Sequence, residues 1–484
     1  MVEKTQRKWL ALALLAVVQF MVVLDIAIVN VALPSIQTDL GFTQENLQWV
    51  ISAYALLFGG LLLLGGRAAD LLGRRRVFIV GLIVFSVASL FSGLAWSDDA
   101  LVVARGFQGL GAAIITPAAL SILTTTFSEG RERNAALGVW GAVGAFGAVA
   151  GVLLGGILTD LLSWEWIFFI NVPVGLVALA LTPVLLTESR DARVKSFDAP
   201  GAVLVTSGLV TLVYAITQAN GYGWASLETV GLFAAAGVLL AGFVGWELRA
   251  KEPLVPFAIF RGKTVTAANI SGLVLGTVTF SMFLMLTLYM QQVLGYSPMK
   301  TGLAYLAVAG TAILWSGVAA QLVNRIGVKP VIATGMTLLT IGLVFFTQVS
   351  VGGSYLGDLL PGFLLIGAGL GFSFVPISIA ALAGVQHSEA GVASGLFNTS
   401  QQIGGALGIA ALSAIATSRT ADSVAGGEAQ PQALTDGFYS AFVWGGVIAA
   451  VGILVALLLV RRSELEARTE AVEETPEPAY EAAA

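Results

Sequence analysis

The chain has 484 residues, 57% of them hydrophobic and only 11% charged, and its mean hydropathy is +0.88. Apolar runs of this length span a bilayer again and again, so the chain reads as a polytopic helical membrane protein rather than a soluble domain. With no cysteine, disulfides, thiol catalysis and cysteine-held metals are excluded, and the net charge of −5 says little about partners because charge position outweighs charge sum here.

Fourteen apolar spans follow one another, at about 9–33, 47–66, 77–96, 100–124, 135–158, 167–187 and 200–219 in the first part of the chain. The second part holds about 228–248, 265–291, 301–323, 331–351, 358–382, 391–417 and 437–460. The first run has no small-residue cleavage site and continues to Pro34, so it reads as a retained helix and not a signal peptide. An even count puts both termini on one side. If that side is the cytoplasm, 21 of the 24 lysines and arginines fall in cytoplasmic segments, two (Lys300 and Arg419) lie outside and one, Arg105, sits within a span. This asymmetry fixes the orientation, with both termini cytoplasmic.

The fifty-seven glycines suit close helix packing in lipid. Span five carries Gly147, Gly151, Gly155 and Gly156 on a small-residue stretch, which is either ordinary close packing or a seam along which two parts slide. The segment from Ser418 to Asp436 is the longest external connection, small and polar, and reads as a flexible loop or a lid. His387 falls in a polar connection and reads as solvated. The stretch 461–484 is acidic, proline-containing and non-periodic, and reads as a disordered tail.

Asp25 lies deep in the first span, where a carboxylate costs roughly 2.5–3.5 kcal/mol at a helix centre. By helix rise it stands roughly 24 Å from the cytoplasmic end, while Arg105 stands roughly 8 Å below the outer end of span four. The two charges share a depth in the outer half. The corresponding position of span twelve is apolar, Leu365, so the pairing is a feature of the first half alone. Burial disfavours the charged carboxylate and a nearby guanidinium favours it, so changing access or distance switches protonation. The plainer reading is a fixed ion pair joining two helices.

A repeat is legible. Gly66, Asp70, Gly73, Arg74, Arg75 and Arg76 form a tight basic turn between spans two and three, and Asn324 to Lys329 echoes it between spans ten and eleven. Gly109-Leu110-Gly111 with Pro117 is echoed by Gly369-Leu370-Gly371 with Pro376. The echoes match if 1–187 and 264–460 are two six-helix halves, with the two spans in 188–263 inserted between them.

These stretches together resemble the major facilitator superfamily, in its fourteen-span drug:proton antiporter branch of the EmrB/QacA type. Gly66 to Arg76 resembles the superfamily's loop motif, Leu101 to Ala113 its arginine motif of span four, Leu24 to Pro34 the branch's first-span motif, and Gly151 to Gly156 its antiporter motif. Trp164 to Pro173, Phe197 to Gly201 and Gly391 to Thr399 are similar to further stretches of the branch. Three residues depart from the patterns: Leu71 for a basic residue, Val152 for the antiporter proline and Glu165 for an arginine. The resemblance implies an all-α fold of two six-helix halves plus two inserted helices, and alternating access in the cytoplasmic (inner) membrane. A proton moves inward as a lipophilic compound moves out. It makes Asp25 the proton site, Arg105 its modulator, and the 66–76 turn a cytoplasmic gate, with the proton as coupling ion and no other cofactor.

Asn30, Tyr54, Met285, Tyr289 and Asn398 are candidate cavity residues, although aromatics and methionines at helical spacing in span nine also suit packing or lipid. The expected partners are lipophilic small molecules, protons and the bilayer, with no nucleic acid and a monomeric chain. Two other readings stay open: a lipid or cell-envelope metabolite exporter on the same fold, and a proton-translocating subunit of a membrane complex. Enzyme chemistry finds no metal cluster, nucleophile–base set or nucleotide loop.

Overall fold

The computed structural model describes residues 2–127, 131–190, 198–383, 385 and 390–461, and among them the regular structure is helical throughout. His387 and the acidic stretch 462–484 lie outside the described residues.

The helices of the first half are α1 (Val2–Leu40), α2 (Trp49–Leu72), α3 (Arg74–Gly93), α4 (Asp98–Thr126), α5 (Arg131–Leu161), the single-turn α6 (Trp166–Phe169) and α7 (Asn171–Leu185). Then come α8 (Ala199–Tyr222) and α9 (Leu227–Glu247). The last group is α10 (Lys263–Leu288), α11 (Pro298–Ile326), α12 (Val328–Phe346), α13 (Leu360–Ala381), α14 (Ala390–Ala425) and α15 (Gln430–Leu459). The side of the bundle where α1 begins is called proximal below, and the opposite side distal.

Thirteen segments among the described residues have the length and apolar content to cross a membrane, with α6 and α7 together making one of them. The 36-residue α14 occupies the fourteenth place, its apolar character diluted by the run Asn398-Thr399-Ser400-Gln401-Gln402. That run turns toward neighbouring helices: Thr399 donates to the Gly59 carbonyl of α2 at 3.0 Å and Ser400 to Asn269 of α10 at 3.0 Å.

Hydropathy marks where a helix leaves the membrane and not where it ends. The segment from Ser418 to Asp436 is therefore not a loop. Alanine-rich helix continues on both sides, and only Gly426 to Ala429 connects α14 to α15, with Gly427 at φ +88°. Ser423 and Gln432 both donate to the Asp436 carboxylate, at 2.9 and 3.1 Å, and pin the junction. In the same way α1 runs through Pro34 to Leu40, ending on the polar residues Gln37, Thr38 and Asp39.

Within the first half α1 packs on α5, and α2 and α3 pack on α4. In the second, α10 packs on α14, α11 and α12 on α13, and α12 on α15. Small residues set the closeness: a Cβ at Gly111 would stand 2.6 Å from the Phe85 nitrogen, and one at Gly408 2.7 Å from the Thr277 Cα. The two groups meet where α5 crosses α11, where α2 crosses α14 and where α1 touches α10. The α8–α9 hairpin leans on both groups through α8, with Gln48 donating to Thr217 at 2.9 Å and Asn220 to the Ala414 carbonyl at 2.8 Å.

The contacts of α1 and α5 with the second group are distal, while α2 and α14 meet along the middle of the bundle, at Gly59 with Gln402 and at Leu63 with Gly395. Val152 and Gly156, near the distal end of α5, approach the first turns of α11: a Cβ at Gly302 would lie 2.7 Å from the Val152 carbonyl oxygen, and one at Gly156 2.6 Å from that of Pro298. Gln292 donates to Gln37 at 2.8 Å and Gln291 to the Val31 carbonyl at 2.8 Å. Toward the proximal side the same two helices stand clear of close neighbours, with nothing within 4 Å of a Cβ built at Gly138, Gly141, Gly310 or Gly317. Between α5 and α11 the bundle is closed distally and parted proximally.

Candidate functional site

Asp25 and Arg105 lie in the interior of the first half with 0% and 1% of their surface exposed. Helix α1 carries the carboxylate and α4 the guanidinium, and their atoms meet at 2.7 Å between Arg105 Nη1 and Asp25 Oδ2. The shared depth expected from helix rise is thus a direct contact. A buried pair of this kind persists only if its remaining hydrogen-bonding capacity is met. Here Arg105 Nε donates to the Val50 carbonyl of α2 at 2.9 Å and Nη1 also to Gln108 Oε1 at 2.7 Å. The guanidinium lies over the Tyr54 ring at 4.5 Å and the Phe168 ring at 5.6 Å.

The carboxylate's second oxygen, Oδ1, accepts from Gln108 Nε2 at 2.7 Å and from Asn171 Nδ2 at 2.8 Å. Both amides also reach Ser89 Oγ, at 3.0 and 3.1 Å, and Ser89 itself donates to the Phe168 carbonyl. Six elements (α1, α2, α3, α4, α6 and α7) therefore close around one carboxylate, which accepts three donors. Gln108, Asn171 and Ser89 escape sequence reasoning because neutral polar residues in helices are common. Gln108 had a signal in its i,i+3 spacing from Arg105, and Asn171 in the Trp164 to Pro173 stretch.

The candidate gate turn is tied within its own half. Asp70 accepts from Arg74 Nε and Nη2 at 3.0 and 2.9 Å and from Ser121 at 3.3 Å. Glu188, just beyond α7, accepts the backbone N–H groups of Arg75 and Arg76 at 3.1 and 3.2 Å, placing a carboxylate at the N-terminus of α3. Gly73 stands at φ +108°, with the Glu188 carboxylate 2.8 Å from where a Cβ would go. Gly66 faces Pro117 of α4. Glu188 carried no motif signal, since it lies in a separate stretch of sequence.

The span-five glycines divide between two surfaces. Gly147, Gly151 and Gly155 follow an i,i+4 row against α1, where a Cβ at Gly151 would come within 2.8 Å of the Leu24 carbonyl oxygen, while Gly156 faces α11. The five candidate cavity residues are not gathered in one place. Tyr54 lies beneath the Arg105 guanidinium, and Asn30 donates to its own helix at the Ile26 carbonyl. Tyr289 is buried and donates to the Ser350 carbonyl at 2.6 Å. Met285 lines a distal cavity of about 260 Å³ between the halves, bounded also by Gln48, Ser413 and Phe438. Asn398 is exposed on α14.

Residues 15–409 match the family described as Major Facilitator Superfamily. The chain is 40% identical to the puromycin resistance protein pur8 of Streptomyces alboniger, over 97% of this chain and 93% of that protein. It is 38% identical to the cephamycin export protein CmcT of Amycolatopsis lactamdurans, over 94% of this chain and 93% of that protein. Among solved structures, a bacterial homologue of the human lysosomal transporter Spinster superposes with a TM-score of 0.65 at 16% identity, covering 98% of this chain and 99% of that one. At that identity the likeness is one of fold. With helices, glycine crossings and a family match over most of its length in agreement, the chain belongs to the major facilitator superfamily.

Proposed function

We propose that the chain is a proton-coupled exporter of lipophilic or amphiphilic antibiotic-like compounds, working by alternating access between halves 1–187 and 264–460. The basic proximal side faces the cytoplasm, both termini included, and the membrane is the cytoplasmic one. The relatives named for puromycin resistance and cephamycin export support the substrate class. Coupling rests on one observation: a fully buried carboxylate whose two oxygens accept three donors from α4 and α7.

A proton on Asp25 turns one acceptor oxygen into a donor. At least one of Arg105, Gln108 and Asn171 then loses its partner inside the bundle, where an unmet buried group costs about 1–3 kcal/mol. Protonation and helix placement are thereby linked. In the distally closed state Asp25 has no exposed surface, so the proton must arrive or leave in another arrangement. A proton entering an inside-negative cell supplies roughly 2.3 kcal/mol per 100 mV before any pH gradient, enough for modest uphill export. With one deep carboxylate, neutral, zwitterionic and monocationic amphiphiles are the expected substrates, and strongly dicationic ones are poor.

The test is dye efflux in inverted vesicles under an imposed pH gradient, comparing wild type with Asp25→Asn. Loss of gradient-driven transport with substrate binding retained supports the proposal. Unchanged antiport in the variant makes Asp25 a structural partner of Arg105 and sends the search for the proton site elsewhere.

A further inference from the structure

A second pair of carboxyl groups lies far along the chain from Asp25, at the proximal ends of the inserted helices. Asp198 caps α8 and Glu247 closes α9, with 7% and 4% of their surface exposed. One oxygen of each is accounted for. Asp198 Oδ1 accepts from the Gly201 backbone N–H at 2.9 Å and from Trp246 Nε1 at 2.7 Å. Glu247 Oε2 accepts from the Val255 N–H at 3.2 Å, in the linker that leads to α10.

The other two oxygens, Asp198 Oδ2 and Glu247 Oε1, are buried and have no donor. Both stand over the bare Cα of Gly201, where a Cβ would meet Asp198 Oδ2 at close contact and Glu247 Oε1 at 2.7 Å. Two buried carboxylates turned toward one point repel each other. Among the described residues neither has an ion pair with a lysine or arginine. The charged residues on the elements packed around them are Arg249, Lys251, Glu252, Arg261 and Lys263; the four basic ones are exposed and Glu252 is half-buried.

We propose that Asp198 and Glu247 form a proton-binding site, in which Glu247 Oε1–H donates to Asp198 Oδ2. Asp198 Oδ1 accepts two donors, the Gly201 N–H and the indole N–H, and Glu247 Oε2 accepts one, so the proton is assigned to Glu247. Gly201 is the residue that lets the two groups meet, because any side chain there would fill the space between them. The bound proton joins the start of α8 to the linker after α9, the two points where the inserted hairpin connects to the rest of the chain. Removing it leaves two facing anions and loosens that junction.

The site is independent of the coupling role assigned to Asp25, and its test is run in an Asp25→Asn background so that the two carboxyl sites are not confused. In purified protein in lipid nanodiscs at neutral pH, infrared difference spectra between water and heavy water are expected to show the carbonyl stretch of a protonated carboxylic acid. That band is expected to vanish in Glu247→Gln. Amide hydrogen exchange of residues 248–256 provides a second reading. Normalised to the intrinsic base-catalysed rate, which itself climbs with pH, it is expected to rise several-fold between pH 6 and pH 9 with Glu247 present, and to stay flat in Glu247→Gln, whose amide replaces the bound proton. A band that survives Glu247→Gln, no band at all, or a band displaced by added sodium or calcium would overturn the proposal, the last in favour of a cation site.

Discussion

Among the described residues, Asp25 is the one carboxylate paired with Arg105. Its guanidinium is buried against Asp25, Gln108, the Val50 carbonyl and the Tyr54 ring. Removing one member of a buried ion pair leaves the other uncompensated, at a cost of about 3–5 kcal/mol, whereas removing both together is far milder. Arg105→Gln is therefore expected to lower the unfolding midpoint in detergent strongly, and Asp25→Asn/Arg105→Gln to recover much of that loss. If the double variant is no more stable than the single, the pair is not the unit described here.

Tyr54 separates two roles of one side chain. Its ring carries the guanidinium, while its hydroxyl is buried with no hydrogen-bond partner among the described residues. Tyr54→Phe is expected to be neutral or slightly stabilising, because it deletes an unmet polar group. Tyr54→Leu should cost about 1–2 kcal/mol through the lost cation–π contact. Thermal unfolding of the two variants side by side checks this, and equal losses would exclude the ring as the guanidinium's support. The pair was legible in the sequence because buried charges are rare in apolar spans. The amides around it were not, because their role depends on which helices meet.

The helices themselves show where periodicity and hydropathy succeed and stop. Thirteen places of the bundle follow from apolar length, and α14 fills the fourteenth although polar residues interrupt it, two of which, Thr399 and Ser400, donate to Gly59 and Asn269 of neighbouring helices. The ends of α1, α14 and α15 were underestimated, because helix continues into solvent wherever composition allows it, as the alanines on either side of Gly426 and Gly427 do. The small residues of α5 were visible as a stripe, but the sequence left packing and sliding as equal readings.

Position along α5 separates those readings. At Gly156 a Cβ would stand 2.6 Å from the Pro298 carbonyl oxygen of α11, a backbone atom that cannot step aside, while at Gly141 it would meet nothing within 4 Å. Gly156→Leu is thus expected to pry α5 from α11 and open the distal side. Gly141→Ala should change stability by no more than about 0.5 kcal/mol. Accessibility of Gln292→Cys to a membrane-impermeant maleimide added on the distal side reports the difference. Labelling should rise several-fold with Gly156→Leu and stay constant with Gly141→Ala.

At the scale of the whole molecule, basic residues and repeated turns argue for two halves of common orientation with an inserted hairpin, the division on which the proposed alternating access relies. Which side is closed could not be read, because under the alternating access proposed above one sequence serves both arrangements and an interface that alternates must be adequate in each. The structure shows one of them. Gln37, Gln291 and Gln292 join α1 to the distal end of α10, and α5 meets α11 nearby. Neutral amides suit such a contact: they lose little when water replaces them, so the distal closure can release without exposing an unpaired charge.

A clamp across this contact should therefore arrest the cycle without touching Asp25. The chain contains no cysteine, so Gln37→Cys and Gln292→Cys are the sole thiols in a paired variant. A short bis-methanethiosulfonate, from which each thiol displaces methanesulfinate to form a disulfide, is expected to link them in the resting protein and abolish efflux, and a reductant that cleaves the link is expected to restore it. The single variants treated alike should retain transport. Full transport in the linked protein would mean that the distal side need not open, and alternating access between these halves would have to be abandoned.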